Sequence, residues 1–208
     1  MITKYSTKFH RDLTVIYPGE YFSTRNNVVI ATLLGTCIAA CLIDEQNGIY
    51  GMNHFLLPYQ SEHKQNFFLD KNGLYGVAAM ELLINDMMKI GANKKFMKAK
   101  IFGAGSILGK GMGISYTVTQ NNINFVTEFL ETENIPIISK DVGGDMGRKI
   151  FFFTEKSGAV LLKRIMNEKL ELNIKTKEEI YKEKIIEEQN TRQKKTEFKT
   201  SIIFGEDL

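Results

Sequence analysis

Two cysteines and three histidines in 208 residues leave little with which to build a metal centre. No CxxC pair occurs. His10, His54 and His63 are scattered, and no zinc-type ligand spacing connects them. Long apolar runs are missing too, and none approaches the roughly 18–20 residues that a membrane-spanning helix needs. The start, Met1 to Ser6, lacks the apolar stretch of a secretion signal. Residence in the cytoplasm without membrane insertion is therefore the expectation. That compartment keeps thiols reduced, so Cys37 and Cys41 are expected as free thiols rather than a disulfide. Charge of one sign is also lacking. The 27 Lys and Arg face 24 Asp and Glu, a net +3, too even for the clustered basic face of a nucleic-acid-binding protein. Glycines cluster at 103–105 and 143–144, but neither cluster matches a phosphate-binding loop. There is no internal repeat.

What is present is an apolar fraction of 43%, enough for a sizeable core. Residues 13–30 read as β structure around a Pro18-Gly19 turn, and Leu33 to Thr36 as a loop or sharp turn. Cys37 to Ile43 is a continuous apolar run of strand length, suited to a strand buried on both faces. Asp44 to Gly48 is a polar hairpin connection, and a second apolar segment runs from Ile49 to Leu57, stopped by Pro58. Residues 59–72 read as a polar surface loop. Helical spacing places a helix over 74–90, with Leu74, Ala78, Leu82 and Met87 in one row and Tyr75, Ala79, Leu83 and Ile90 beside it, closed by Gly91. A second helix is predicted over 122–131, with Ile123, Val126, Phe129 and Leu130 on one face. Strands are expected at 99–102 and 135–139, a glycine-rich turn at 141–148, and a hairpin from 149–153 and 159–162. Composition shifts near residue 167. Beyond it lies a charged tail with a capping-box pattern at Thr176 and Glu179, a helix over about 177–195, and Ile180, Tyr181, Ile185 and Ile186 as its apolar cover.

The residues that can carry chemistry are one thiol and one imidazole. Thiol catalysis needs a stabilised thiolate with a histidine beside it. Cys41 sits mid-run among Ala39, Ala40, Leu42 and Ile43, the setting of a core cysteine. Cys37 follows Gly35-Thr36 directly, where a turn can aim backbone N–H groups at a developing oxyanion. A hairpin around 44–48 would bring residue 37 near 51–55, and so near His54 on an adjacent strand. His10 and His63 lie in polar stretches. Spacing alone leaves the Cys37–His54 pair open between a catalytic dyad and two unrelated side chains.

Leu33-Leu34-Gly35-Thr36-Cys37-Ile38-Ala39-Ala40-Cys41-Leu42, followed by Gly51-Met52-Asn53-His54-Phe55-Leu56-Leu57-Pro58, resembles the chemoreceptor glutamine deamidase family, CheD. Pro18-Gly19-Glu20-Tyr21, the helix segment Met80 to Asn85, Ala99 to Gly103, and Asp141 to Lys149 continue the likeness, which covers residues 14–164 in order. The resemblance implies an α+β fold: a layered sandwich of β-sheets flanked by two main helices, similar to toxin deamidases with a Cys–His pair. With the composition shift near residue 167, it divides the chain into a deamidase domain over 1–166 and a charged, partly helical tail over 167–208 that lies outside the shared region. It implies hydrolysis of glutamine side-chain amides in methyl-accepting chemotaxis receptors, with release of ammonia and without metal or cofactor. Cys37 is then the nucleophile and His54 the base. Thr32 orients the imidazole, with Ala31 the neighbouring position some members use. Gly35 and Thr36 shape the oxyanion turn. The site is expected to open on a surface groove, with a small apolar pocket for the glutamine stem. A CheC-type phosphatase is the implied protein partner in species that carry one. Two departures stand out: Thr36 where serine is usual, and Ala104 where a glycine is common. They keep open a non-catalytic adaptor of that phosphatase. A thiol protease or acyl transferase using the same pair is a further alternative.

Overall fold

The computed structural model describes residues 1–57, 71–106, 113–165 and 168–203. Two five-stranded mixed sheets and three helices make up the fold. The first sheet has the order β1 (Ile2–Ser6), β2 (Arg11–Val15), β4 (Val29–Leu34), β9 (Arg148–Phe153), β10 (Val160–Arg164). The second runs β3 (Tyr21–Thr24), β6 (Ile49–Asn53), β5 (Ile38–Asp44), β7 (Lys98–Gly103), β8 (Ile137–Val142). α1 (Lys71–Lys89) and α2 (Gly113–Thr132) pack on the second sheet, and α3 (Glu168–Ile203) closes the described chain.

β5 is the centre of this arrangement, and its sequence explains why. All seven of its residues are buried. Cys41, Ala39 and Ile43 face a core shared with Ile30, Leu34, Ile150 and Phe152 of the first sheet. Ile38, Ala40 and Leu42 face the other core, against Met80, Leu83 and Met87 of α1 and Phe125, Val126, Phe129 and Leu130 of α2. A strand covered by a sheet on one side and helices on the other has no polar face to present, hence the unbroken apolar run. The layered α+β architecture is the expected one.

Local differences have physical causes. β4 runs through Leu34, so Leu33 and Leu34 are strand and only Gly35-Thr36 form the turn. α1 buries a different face from the one its first periodicity suggests. Met80, Leu83, Ile84 and Met87 are inward, while Ala78 and Leu82 face solvent. Gly51 on β6 sets this register, because a Cβ there would lie 2.7 Å from Leu83 Cδ1 and 2.9 Å from Met87 Sδ. The side chain of Leu74 and residues 58–70, most of the polar stretch, lie outside the described residues. Gly91 ends α1 in a left-handed conformation, with its own N–H bonded to Met88 O and that of Ala92 to Met87 O. α2 begins nine residues before the predicted start, and α3 is continuous from Glu168. Thr176 is therefore inside a helix, its hydroxyl donating to Leu172 O rather than capping an N-terminus.

Candidate functional site

The site forms where the two sheets meet at one end of the sandwich. In the β5–β6 hairpin, Cys41 pairs with Met52 and Asp44 with Ile49. The ladder continues as a bridge between Ile38 and Phe55. That register sets His54 across from Ala39 and diagonal to Cys37, on one face. The turn at 17–20 grips the histidine main chain: Gly19 N donates to His54 O at 2.7 Å, and His54 N to Glu20 O at 2.9 Å.

Thr32 enters from the other sheet. Val29 and Ala31 pack on the outer face of β4, so Ile30, Thr32 and Leu34 point inward. The Thr32 hydroxyl donates to Ile16 O at 2.8 Å and lies 2.7 Å from His54 Nδ1. A hydroxyl has one proton. With that proton on the carbonyl, which can only accept, Oγ1 must accept from Nδ1–H. The tautomer follows: Nε2 is the unprotonated nitrogen. Among the described residues it is the one buried side-chain polar atom without a partner. The structure thus brings Thr32, His54 and Cys37 together, while Ala31 lies on the outer face of β4.

Cys37 sits at the mouth of β5, and its backbone is fixed from two sides. Ala104 N and Gly105 N donate to Cys37 O and Gly35 O at 2.7 and 2.6 Å. Gly103 (φ +120°) makes this approach possible, since a Cβ there would lie 2.1 Å from Cys37 O. From α2, the buried Asn122 donates to Thr36 O at 3.1 Å and accepts from Leu57 N at 2.8 Å. Sequence reasoning missed Asn122. A fully buried polar residue within Gln120-Asn121-Asn122 carries no distinguishing pattern.

Cys37 is not at the surface. It is fully buried, as is His54, because α3 lies across the opening. Ile174, Glu178 and Ile185, at i, i+4 and i+11, are the buried side of that helix. Tyr181, between the last two, packs over Gly19, where any Cβ would lie within 3 Å of its ring. Ile180 and Ile186, expected as cover, are exposed. The Glu178 carboxylate reaches into the turn. Gly35 N and Cys37 N donate to Oε1 at 2.9 and 3.2 Å, and Thr36 N and Oγ1 to Oε2 at 3.0 and 2.6 Å. Three successive N–H groups and a hydroxyl thus converge on one anion, a backbone nest. Sequence reasoning missed Glu178 as well, one carboxylate among many in a charged helix.

The electrostatics follow from this closure. Burial, and then the Glu178 charge, raise the Cys37 pKa well above the usual thiol value. Burial pulls His54 down to about 3. The closed site therefore holds a thiol and a neutral imidazole. One donor atom each from Cys37, His54 and Glu178 lie within 4.8 Å of one another, a set that could ligate a soft divalent ion. Each Glu178 oxygen already accepts two hydrogen bonds, so the carboxylate is saturated without one. A cavity of about 30 Å³ lies beside His54, bounded by Ile16, Tyr17, Thr32, Leu33 and, from α3, Ile174 and Lys177. That is room for a water or two.

The class is thus an α+β protein with a thiol–imidazole pair beside a backbone anion nest. The family model for CheD, described as chemotactic sensory transduction, matches residues 56–164. The chain is 42% identical over 161 residues to a probable chemoreceptor glutamine deamidase CheD 1 of Shewanella oneidensis, covering 77% of this chain and 76% of that one. It is 46% identical over 145 residues to a second such protein, CheD 2, from the same organism, covering 68% and 72%. A further relative from Herminiimonas arsenicoxydans is 41% identical, covering 77% of each chain. This chain belongs to the CheD family.

Proposed function

We propose that the protein is a deamidase that converts glutamines of methyl-accepting chemotaxis receptors to glutamate, with Cys37 as nucleophile, His54 as base and Thr32 as the residue that orients it. The observation that carries this reading is the hydrogen-bond relay from His54 Nδ1 through Thr32 to Ile16 O. It leaves Nε2 bare, on a ring that has a nitrogen within 4.8 Å of the thiol. The naming of the relatives supports the substrate.

In this mechanism Nε2 takes the Cys37 proton and sulfur attacks the carboxamide carbon. The N–H groups of Gly35, Thr36 and Cys37, which already gather an anion, hold the oxyanion. Imidazolium returns its proton to the departing ammonia. Water then adds to the thioester with His54 as base, releasing glutamate and the thiol. The family resemblance extends the proposal to a CheC-type phosphatase partner and to residence in the cytoplasm. Among the described residues, no helix is long and apolar enough to cross a membrane.

Intact-mass measurement of a receptor fragment tests the activity. The wild type should add about one dalton per modified glutamine, and Cys37→Ala should add none, as nucleophilic catalysis requires. Deamidation by the Cys37→Ala variant would refute the assignment.

A further inference from the structure

We propose that α3 is a tethered product mimic, with the Glu178 side chain seated where the glutamate made by the reaction would lie, so that the chain occludes its own active site until the helix is displaced. The proposal rests on the deamidase reading above.

The argument begins with the chemistry of the plug. Deamidation turns a glutamine side chain into a glutamate side chain. The residue found in the nest is a glutamate, and its carboxylate takes every donor that the turn offers. The fit extends along the helix. Ile174 packs with Ile165 and Leu33. Tyr181 occupies the space over Gly19 and bonds the hydroxyl of Tyr75. Lys177 Nζ lies 4.9 Å from the centre of the Tyr17 ring. The body thus meets α3 along more than one turn, in contacts that bracket Glu178. Outside this face the helix is solvent-exposed wherever its side chains are described, apart from partly covered Lys175 and Lys182. Burial, and for Cys37 the Glu178 charge as well, holds the thiol up and the imidazole down, away from the values a working pair needs.

If Glu178 marks the product position, a glutamine introduced there is a substrate held in cis. Cys37 sulfur would bond to its carboxamide carbon as the thiol proton passes to His54. The carbon–nitrogen bond would break as that proton leaves with ammonia. Water would then cleave the carbon–sulfur bond, restoring the thiol and leaving glutamate.

The test uses full-length wild type, Glu178→Ala, Glu178→Gln and Glu178→Gln/Cys37→Ala. Two readouts are taken: alkylation of Cys37 by iodoacetamide, with Cys41 as fold control, and peptide mass at position 178. Loss of four hydrogen bonds to a charge should make Cys37 of Glu178→Ala react at least about tenfold faster than in wild type, with Cys41 protected in both. The introduced glutamine should revert to glutamate in the Glu178→Gln variant and persist in the double variant. Equal Cys37 alkylation in wild type and Glu178→Ala would overturn the plug. Persistence of that glutamine in a Glu178→Gln protein that still deamidates a receptor fragment would overturn the product position. Where no form deamidates the receptor fragment, the deamidase reading is what fails, and the alkylation ratio still decides whether α3 occludes the thiol. If Glu178→Ala unfolds, shown by Cys41 alkylation, Ile174→Asp releases the helix from its other end and is held to the same tenfold criterion.

Discussion

Cys37 and Cys41 lie four residues apart beside the same strand, face the same inter-sheet core and are both fully buried. Burial pushes both thiols up. By exposure and packing they are indistinguishable. What separates them is company. Cys41 packs in mid-strand against apolar neighbours, with Lys100, its cross-strand partner on β7, as its one electrostatic influence. Cys37 stands at the strand mouth among three N–H donors, an imidazole with a bare nitrogen, and a carboxylate delivered by a helix from the far end of the chain. The difference teaches that Cys37 is set apart by the donors and charges converging on it, and not by exposure.

The sharpest break of that comparison is removal of each sulfur in turn. Cys37→Ala should lower receptor deamidation by on the order of 10⁴-fold or more, the scale of losing a nucleophile. Cys41→Ala should leave the rate within about threefold, because nothing it touches reacts and a small core change is felt mainly in stability. Mass-resolved time courses on one receptor fragment compare the two directly. A comparable loss from both would show that the strand, not the site, had been damaged.

Next in size is the relay. Thr32→Val keeps the shape and removes the hydroxyl that fixes the His54 tautomer. General-base catalysis contributes on the order of 10²–10⁴-fold, so a drop in kcat of about 10²-fold is expected, with KM little changed. Thr32→Ser should restore most of the rate, since the hydroxyl returns. Failure of serine to rescue would point to packing between the sheets rather than orientation of the ring.

Much of this site was legible in the sequence, and the residues show why. The unbroken run of β5, the polar turn at 44–48 and the second apolar segment set a hairpin whose register alone makes Cys37 and His54 diagonal neighbours. Gly35 marked the turn. Glu178 was not legible, because it is one carboxylate in a helix dense with lysine and glutamate, where a carboxylate is ordinarily a solvated face. A trace existed in Ile174, Tyr181 and Ile185, which fall on one stripe with Glu178. Reading Ile180 and Ile186 as equivalent cover hid that stripe. The face of α1 was misjudged for a related reason. Several apolar rows run along it, and the choice among them is made by Gly51 on another element, a tertiary fact that no local period contains.

The pH response sharpens the comparison from the histidine side. Buried His54 has a folded pKa of about 3, below its ordinary 6.5, so folding favours its neutral form. That contribution is fully present above pH 6.5 and is lost as pH falls from 6.5 toward 3. The loss has a slope of up to about 1.4 kcal/mol per pH unit for one proton. Urea midpoints should fall more between about pH 7 and pH 5 in the wild type than in His54→Gln, which has no proton to take up. The raised Cys37 pKa acts in the opposite direction: its contribution is present below the usual thiol value of 9.0 and fades above it. The folded form should therefore be firmest between these limits. Equal acid sensitivity of wild type and His54→Gln would remove His54 as its source.

The smallest effect expected is the stability cost at Cys41 itself. Its sulfur packs among inter-sheet side chains that include Ile43, Tyr50 and Met52, and alanine there opens a methyl-sized gap. The cost should be about 1 kcal/mol, near the centre of point-mutant effects. Cys37→Ala also removes a buried sulfur. It removes with it the thiol's hydrogen bond to the Glu178 carboxylate. Equilibrium unfolding should therefore place Cys37→Ala below Cys41→Ala, by about the 0.5–1.5 kcal/mol of one hydrogen bond. If both variants lost the same free energy, the two sulfurs would be equivalent as packing, and the neighbours of Cys37 would bear on its chemistry alone.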